Sequence, residues 1–175
     1  MARILTITLN PALDLSVETA PLALGEVNRT GHTLMEPAGK GINVARVLAR
    51  LGHSVTVAGL LGDANAAPFE RLFEAEGLQD SFVRVPGQNR NNIKIAEAGG
   101  RVTDLNGPGF RVPDDAVQRL QLRLKSLLPE CDAVVIGGSL PDGFPPSGLA
   151  NLVEQASQAD KPVWLDTSGA GLKAG

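Results

Sequence analysis

Glu36-Pro37-Ala38-Gly39-Lys40-Gly41-Ile42-Asn43-Val44-Ala45-Arg46-Val47-Leu48-Ala49-Arg50-Leu51-Gly52 is the stretch around which the chain is organised. From Ile42 onward the spacing predicts a helix. Val44, Val47, Leu48 and Leu51 recur at three- and four-residue intervals, Arg46 and Arg50 take the wet face, and Gly52 closes the end. Pro37 to Gly41 read as the loop that enters it. Gly39 and Gly41 leave the backbone bare at a helix N-terminus, where free amides and the macrodipole favour an anion. Lys40 adds a mobile positive charge, and Asn43 offers both a donor and an acceptor. The set suits a small molecule that carries hydroxyls and negative charge.

Two better-known glycine signatures do not fit. A P-loop needs Ser or Thr after Gly-Lys, and here Gly41 follows Lys40. The dinucleotide fingerprint needs a third glycine where Val44 stands. Gly-Lys-Gly alone reads equally well as an ordinary glycine turn before a helix.

Composition narrows the classes further. The 175 residues suffice for one ordinary domain, and 43% apolar residues can fill its core. A net charge of -3 and 3% aromatics speak against a nucleic-acid surface or a base-stacking platform. Cys131 is the single cysteine, so no intrachain disulfide forms; it reads as a small buried hydrophobe, and a reducing, cytoplasmic setting is expected. His32 and His53 lack metal-ligand spacing. No apolar run reaches the roughly 18 residues of a membrane span. Thr6, Thr8 and Asn10 stand where a signal peptide would be apolar, so neither secretion nor a membrane partner is expected.

Outward from the central stretch, strands and helices alternate. Ile4 to Leu9 is a strand rich in β-branched residues, stopped by Asn10-Pro11. Ala12-Leu13-Asp14 follow at its C-terminal end, where open α/β sheets hold ligands. Alone, Asp14 is a solvated loop residue; as a ligand group, its carboxylate can accept from two neighbouring hydroxyls. Further strands are expected over Ser54–Leu60, Ser81–Val85, Asp132–Ile136 and Lys161–Asp166. Helices are expected over Ala66–Glu76, Pro113–Leu128 and Pro146–Ala159. This order implies a parallel sheet covered on both faces. Two excursions interrupt it, at about 15–34 and 92–105, each alternating around a glycine turn. They read either as surface hairpins or as a second, smaller sheet.

Further constellations sit at strand ends: Gly62-Asp63, Arg90-Asn91-Asn92-Ile93-Lys94, Gly137-Gly138-Ser139-Leu140-Pro141-Asp142-Gly143 and Asp166-Thr167-Ser168-Gly169. Gly62-Asp63 reads equally as a capped turn. Arg90 can grip a phosphate with its planar fork, and the bare amides and Ser139 hydroxyl suit a phosphate or sugar oxygen.

In this order, Thr-Leu-Asn-Pro-Ala-Leu-Asp, Gly-Lys-Gly-Ile-Asn-Val-Ala-Arg, Arg-x-Asn-x-Lys and Gly-Ser-Leu-Pro-x-Gly resemble the phosphofructokinase-B branch of the ribokinase-like sugar kinases. The resemblance implies a doubly wound, mostly parallel α/β sheet with a small β-sheet lid formed by the two excursions. Residues 1–175 would be the N-terminal part of one sugar kinase domain, with the C-terminal part of the fold missing. It implies ATP and Mg2+ as cofactors, a sugar phosphate as substrate, and a homodimer through the lid. It further implies Asp14, Gly39 and Asn43 for sugar hydroxyls, Lys40, Arg90 and Ser139 toward the phosphate, and Asn92 as a further substrate-binding residue. The implied reaction carries the ATP γ-phosphoryl to C6 of D-fructose 1-phosphate. Tagatose 6-phosphate and fructose 6-phosphate stay open as substrates, as does a non-catalytic sugar-phosphate binder. The family's Asn-x-x-Glu and Gly-Ala-Gly-Asp motifs do not occur in these residues. No catalytic base and no metal ligand is therefore assigned. The base is expected beyond Gly175, and the chain alone is expected to be inactive.

Overall fold

A computed structural model describes residues 1–174. Gly175, beyond which the sequence places the expected catalytic base, lies outside the described residues. β1 (Arg3–Thr8) lies at the centre of a six-stranded sheet with β4 (Ser54–Gly62) on one side and β9 (Ala133–Gly137) on the other. β10 (Val163–Asp166) pairs outside β9, while β5 (Gln79–Asp80) and β6 (Val83–Val85) pair with β4. Every pairing in this sheet is parallel. That follows from the intervening helices α1 (Lys40–Arg50), α2 (Ala67–Ala75), α3 (Ala116–Leu127) and α4 (Pro146–Gln158). The short α5 (Ala170–Ala174) follows β10.

Period-two alternation sends the strand side chains to two cores. Leu5, Ile7, Leu60, Val134 and Ile136 pack with Leu120 and Leu124 of α3 and Leu149 and Leu152 of α4. Val55, Val57 and Leu61 pack with Ile42 and Ala45 of α1 and with Phe69 and Phe73 of α2. Phe73 stacks on Phe82 with ring centroids 5.6 Å apart. Cys131 is buried in the first core, and burial pushes its thiol pKa up. No helix among the described residues is long and apolar enough to cross a membrane.

The two excursions form one second sheet, as the resemblance implied. β2 (Ala12–Thr19) and β3 (Thr30–Ala38) are antiparallel, as are β7 (Arg90–Glu97) and β8 (Val102–Asn106), and β2 joins β7 in parallel, giving the order β3-β2-β7-β8. These strands run wider than alternation suggests. Pro37 and Ala38, read as loop, pair with Leu13 and Ala12, and Pro37 is tolerated because β3 is an edge strand.

Two details of the central helix depart from the sequence reading. α1 begins at Lys40, and its buried face is Gly41, Ile42 and Ala45. Val47 and Leu51, expected in the core, are 56% and 70% exposed. The expected strand over Ser81–Val85 starts only at Val83, with Gln79–Asp80 a separate short strand.

Candidate functional site

The C-terminal ends of β1, β9 and β10 come together beside the N-terminus of α1. Asn10, just past β1 and almost buried, donates from Nδ2 to Ser139 Oγ at 3.1 Å. The Gly138 amide donates to the Asp166 carbonyl at 2.9 Å, and Thr167 Oγ1 donates to the Gly138 carbonyl at 2.8 Å. Lys40 Nζ reaches across this junction to Asp166, donating to Oδ1 at 2.8 Å and Oδ2 at 3.0 Å. Its stem passes over Gly137, where a Cβ would come within 3.1 Å of Lys40 Cβ. Lys40 therefore points along the strand ends toward β10.

Gly39 and Gly41 answer first to packing. Gly39 has φ +144, and a Cβ there would meet Thr8 Cγ2 at 2.8 Å; one at Gly41 would meet Thr8 Oγ1 at 2.5 Å and the Ile7 carbonyl at 2.7 Å. The bare face of Gly41 is thus turned to β1. What remains open is the helix end itself: no side chain caps α1, and its first turn carries no acidic residue.

Asp14 and Asn43 share a cavity of about 450 Å³ between the second sheet and α1, lined also by Ser16, Glu36, Arg46 and Arg50. Lys40, Arg90 and Ser139 are not among its lining residues. Register pairs Asp14 with Asn92 on β7, and Asn92 Nδ2 donates to Asp14 Oδ1 at 2.9 Å. Asn92 Oδ1 and Arg90 Nε are both buried with no hydrogen-bond partner among the described residues. Thr6 Oγ1, Thr8 Oγ1 and Gln155 Oε1 are unpaired in the same way.

Gly62-Asp63, open between ligand site and turn in the sequence, serves as a brace. Asn89, 1% exposed, accepts from the Gly62 amide at 2.9 Å and donates to its carbonyl at 3.0 Å. Asp63 Oδ1 accepts from the Gly87 amide at 3.2 Å. The segment immediately before Arg90 is thereby tied to the end of β4. Sequence reading gave no site role to Asn10, Asn89, Glu36 or Arg46; Asn10 stood at a strand end and inside the Thr-Leu-Asn-Pro-Ala-Leu-Asp string, signals that could have picked it out.

The electrostatics separate two regions. Arg46 Nε and Arg50 Nη2 both donate to Glu76 Oε1, at 3.0 Å and 2.6 Å. Burial alone would raise the Glu76 pKa, but these two guanidiniums outweigh it and hold the carboxyl below its ordinary value. With their charge taken by Glu76, the two arginines leave the cavity around Asp14 and Glu36 without surplus positive charge.

A parallel α/β sheet joined to a second, mixed four-stranded sheet defines a ribokinase-like fold. The chain belongs to the pfkB family of carbohydrate kinases, which it matches over residues 7–174. It is 42% identical over 173 residues to the 1-phosphofructokinase of Vibrio cholerae, covering 99% of this chain and 55% of that protein. The crystal structure of a possible 1-phosphofructokinase from Thermotoga maritima superposes with a TM-score of 0.90 at 32% identity, covering 98% of this chain and 56% of the other. Escherichia coli phosphofructokinase-2 in complex with fructose-6-phosphate gives 0.86 at 30% identity, with 99% and 57% covered. The chain thus spans little more than half the length of these relatives.

Proposed function

We propose that this chain is the sugar-phosphate-binding half of a kinase that transfers the γ-phosphoryl of ATP to the C6 hydroxyl of D-fructose 1-phosphate, giving fructose 1,6-bisphosphate in the cytoplasm. The observation that carries the reading is the Asp14–Asn92 pair at the cavity that Asn43 lines, with the orphan Arg90 Nε one pleat away on the same strand. Asp14, Asn43 and the Gly39 turn serve the sugar hydroxyls; Arg90, Lys40 and Ser139 serve the phosphate. Such a site contributes positioning and charge neutralisation, which account for most of the catalysis in phosphoryl transfer. The catalytic base belongs to chain beyond Gly175 in this reading.

ATP is the phosphoryl donor this reading takes from the family. Mg2+ likewise comes to this reading from the family; kinases hold it through substrate phosphates with one or two carboxylates, and no group of three or more His, Cys, Asp or Glu converges among the described residues, so no residue here is assigned to it. No step is therefore routed through the metal. The second sheet also supports a homodimer. Leu15, Val17, Ile93 and Ile95 share one face with Met35 and Leu105, which are 55% and 52% exposed.

Likeness to a phosphofructokinase-2 solved with fructose-6-phosphate favours a second substrate, fructose 6-phosphate. Calorimetry of the chain with fructose 1-phosphate, fructose 6-phosphate, tagatose 6-phosphate and fructose separates these. The expected order puts fructose 1-phosphate first and fructose last, with Asp14→Asn weakening all of them. Equal binding of fructose and its 1-phosphate would overturn the reading.

A further inference from the structure

We propose that Glu36 is a second hydroxyl-binding carboxylate of the sugar site and sets its specificity together with Asp14. The inference rests on the sugar-phosphate reading above and assigns a residue that the motifs leave out. Asp14 and Glu36 are directly opposite each other on β2 and β3, so their side chains leave the same face of the second sheet. Both line the 450 Å³ cavity with Asn43. Like charges placed directly opposite across a strand pair destabilise a sheet. Here the repulsion is only partly relieved: Arg46 Nη2 approaches Glu36 Oε1 at 3.9 Å, beyond hydrogen-bond reach, and its Nε is committed to Glu76.

Glu36 is therefore a half-exposed carboxylate whose oxygens accept no hydrogen bond from the described residues, although a guanidinium stands near. Asp14 is similar, with Oδ1 taken by Asn92 and Oδ2 left open. Two acceptor groups with unused lone pairs, facing one cavity, match a ligand that brings donors. An anion is the wrong guest, because the lining Asp14, Glu36, Arg46 and Arg50 balance in charge and Glu76 adds one more negative group. A ketose with adjacent hydroxyls is the right one, its phosphate directed away toward Arg90. Asp14 and Glu36 then take neighbouring hydroxyls, and a sugar lacking either loses one charged hydrogen bond.

The test is a substitution series read against deoxy sugars. Calorimetry compares the chain, Glu36→Gln and Asp14→Asn with fructose 1-phosphate and its 3-deoxy and 4-deoxy analogues. Glu36→Gln should weaken the parent sugar phosphate about tenfold and leave one analogue unchanged; Asp14→Asn should spare the other. A Glu36→Gln effect of the same size on every ligand marks a structural role through Arg46 and overturns the proposal. So does no effect at all while Asp14→Asn still weakens binding, an outcome that leaves the site reading intact. If neither variant changes the parent affinity, the sugar reading of the cavity fails as well. Should Glu36→Gln not fold, Glu36→Asp keeps the charge, withdraws it by one methylene and must show the same selectivity.

Discussion

At the scale of single residues, the phosphate role proposed for Lys40 competes with an ion pair. The ammonium is held by Asp166, yet both groups are more than half exposed, and exposed pairs are worth little because water screens them. A phosphate can therefore exchange with Asp166 at small net cost. Lys40→Ala should weaken fructose 1-phosphate by about 1 kcal/mol, roughly fivefold, below the ~1.5–3 kcal/mol of an uncontested charged hydrogen bond. Asp166→Asn should tighten it, and titration calorimetry with fructose as the neutral control reads both. A tighter complex after Lys40→Ala would exclude Lys40 from the phosphate end. Gly41 gives a sharper case. A methyl there would have to push α1 away from Ile7 and Thr8, so Gly41→Ala should destabilise the fold by about 1–3 kcal/mol, measured by urea unfolding. Gly39-Lys40-Gly41 was legible as a special place, but the cause was only half legible. Bare backbone for a ligand and bare backbone for a neighbouring strand look alike in sequence.

At the scale of elements, the second sheet is held at its far end by one carboxylate. Glu97 on β7 has a side chain only 2% exposed; its Oε2 accepts from the Leu22 amide at 2.9 Å and from Arg101 Nη2 at 2.6 Å. The Arg101 guanidinium, aided by the Leu22 amide, holds its carboxyl below the ordinary carboxylate range. The sign follows: a depressed carboxyl pKa adds stability that is present above the unfolded value and lost as pH falls through the folded one. The protection factor of the Leu22 amide, its exchange rate relative to the intrinsic rate at each pH, should thus be high at neutral pH and fall as pH drops below about 4.3, the usual glutamate value. Glu97→Gln should show the lowered protection already at pH 7; protection of Leu22 unchanged in that variant would remove Glu97 from this role. The same scale shows where pattern reading of α1 went astray. The expected stripe on this helix was Val44, Val47, Leu48 and Leu51, and of these only Leu48 packs against the core. The buried face is Gly41, Ile42 and Ala45, where Gly41 and Ala45 let the helix sit close against β1 and β4. Strand order, by contrast, was readable as a class, since helices between strands force parallel pairing. The parallel contact of β2 with β7 was not, because the whole of β3, α1, β4 and α2 lies between them in the chain and no local signal records the partner.

At the scale of the whole molecule, two surfaces remain to be accounted for. The apolar face of the second sheet should bury itself against a second copy. Met35→Glu with Leu105→Glu is expected to convert a dimer to a monomer in sedimentation velocity while the chain stays folded by circular dichroism, its melting temperature no longer rising with protein concentration. The other surface is the β10 edge, where Trp164, the single tryptophan, is 57% exposed on a strand with one neighbour in the sheet. The relatives carry nearly as much chain again, and an edge of this kind is what further strands would cover. Phosphoryl transfer argues the same way. A general base must reach the C6 hydroxyl within about 2.6–3.2 Å while the charge on the moving phosphoryl is stabilised. Of the aspartates at the strand ends, Asp14 is bonded to Asn92, Asp63 supports the Gly87 turn, Asp142 pairs with Arg111 and Asp166 is held by Lys40. Asp63 opens the short 3-10 turn Asp63–Asn65 after Gly62 but is committed to the Gly87 amide, and α1, the longer helix that opens on glycines, has no acid in its first turn. The chain should accordingly bind fructose 1-phosphate but turn over ATP with it several orders of magnitude below ordinary kinase rates, since base and anion donors are each worth roughly 10²–10⁴. Adding the complementary segment of the Vibrio cholerae relative as a separate polypeptide should shift Trp164 emission to the blue and restore turnover in a coupled assay. Full activity of the 175-residue chain by itself would show that one of its own aspartates leaves its present partner and acts as the base.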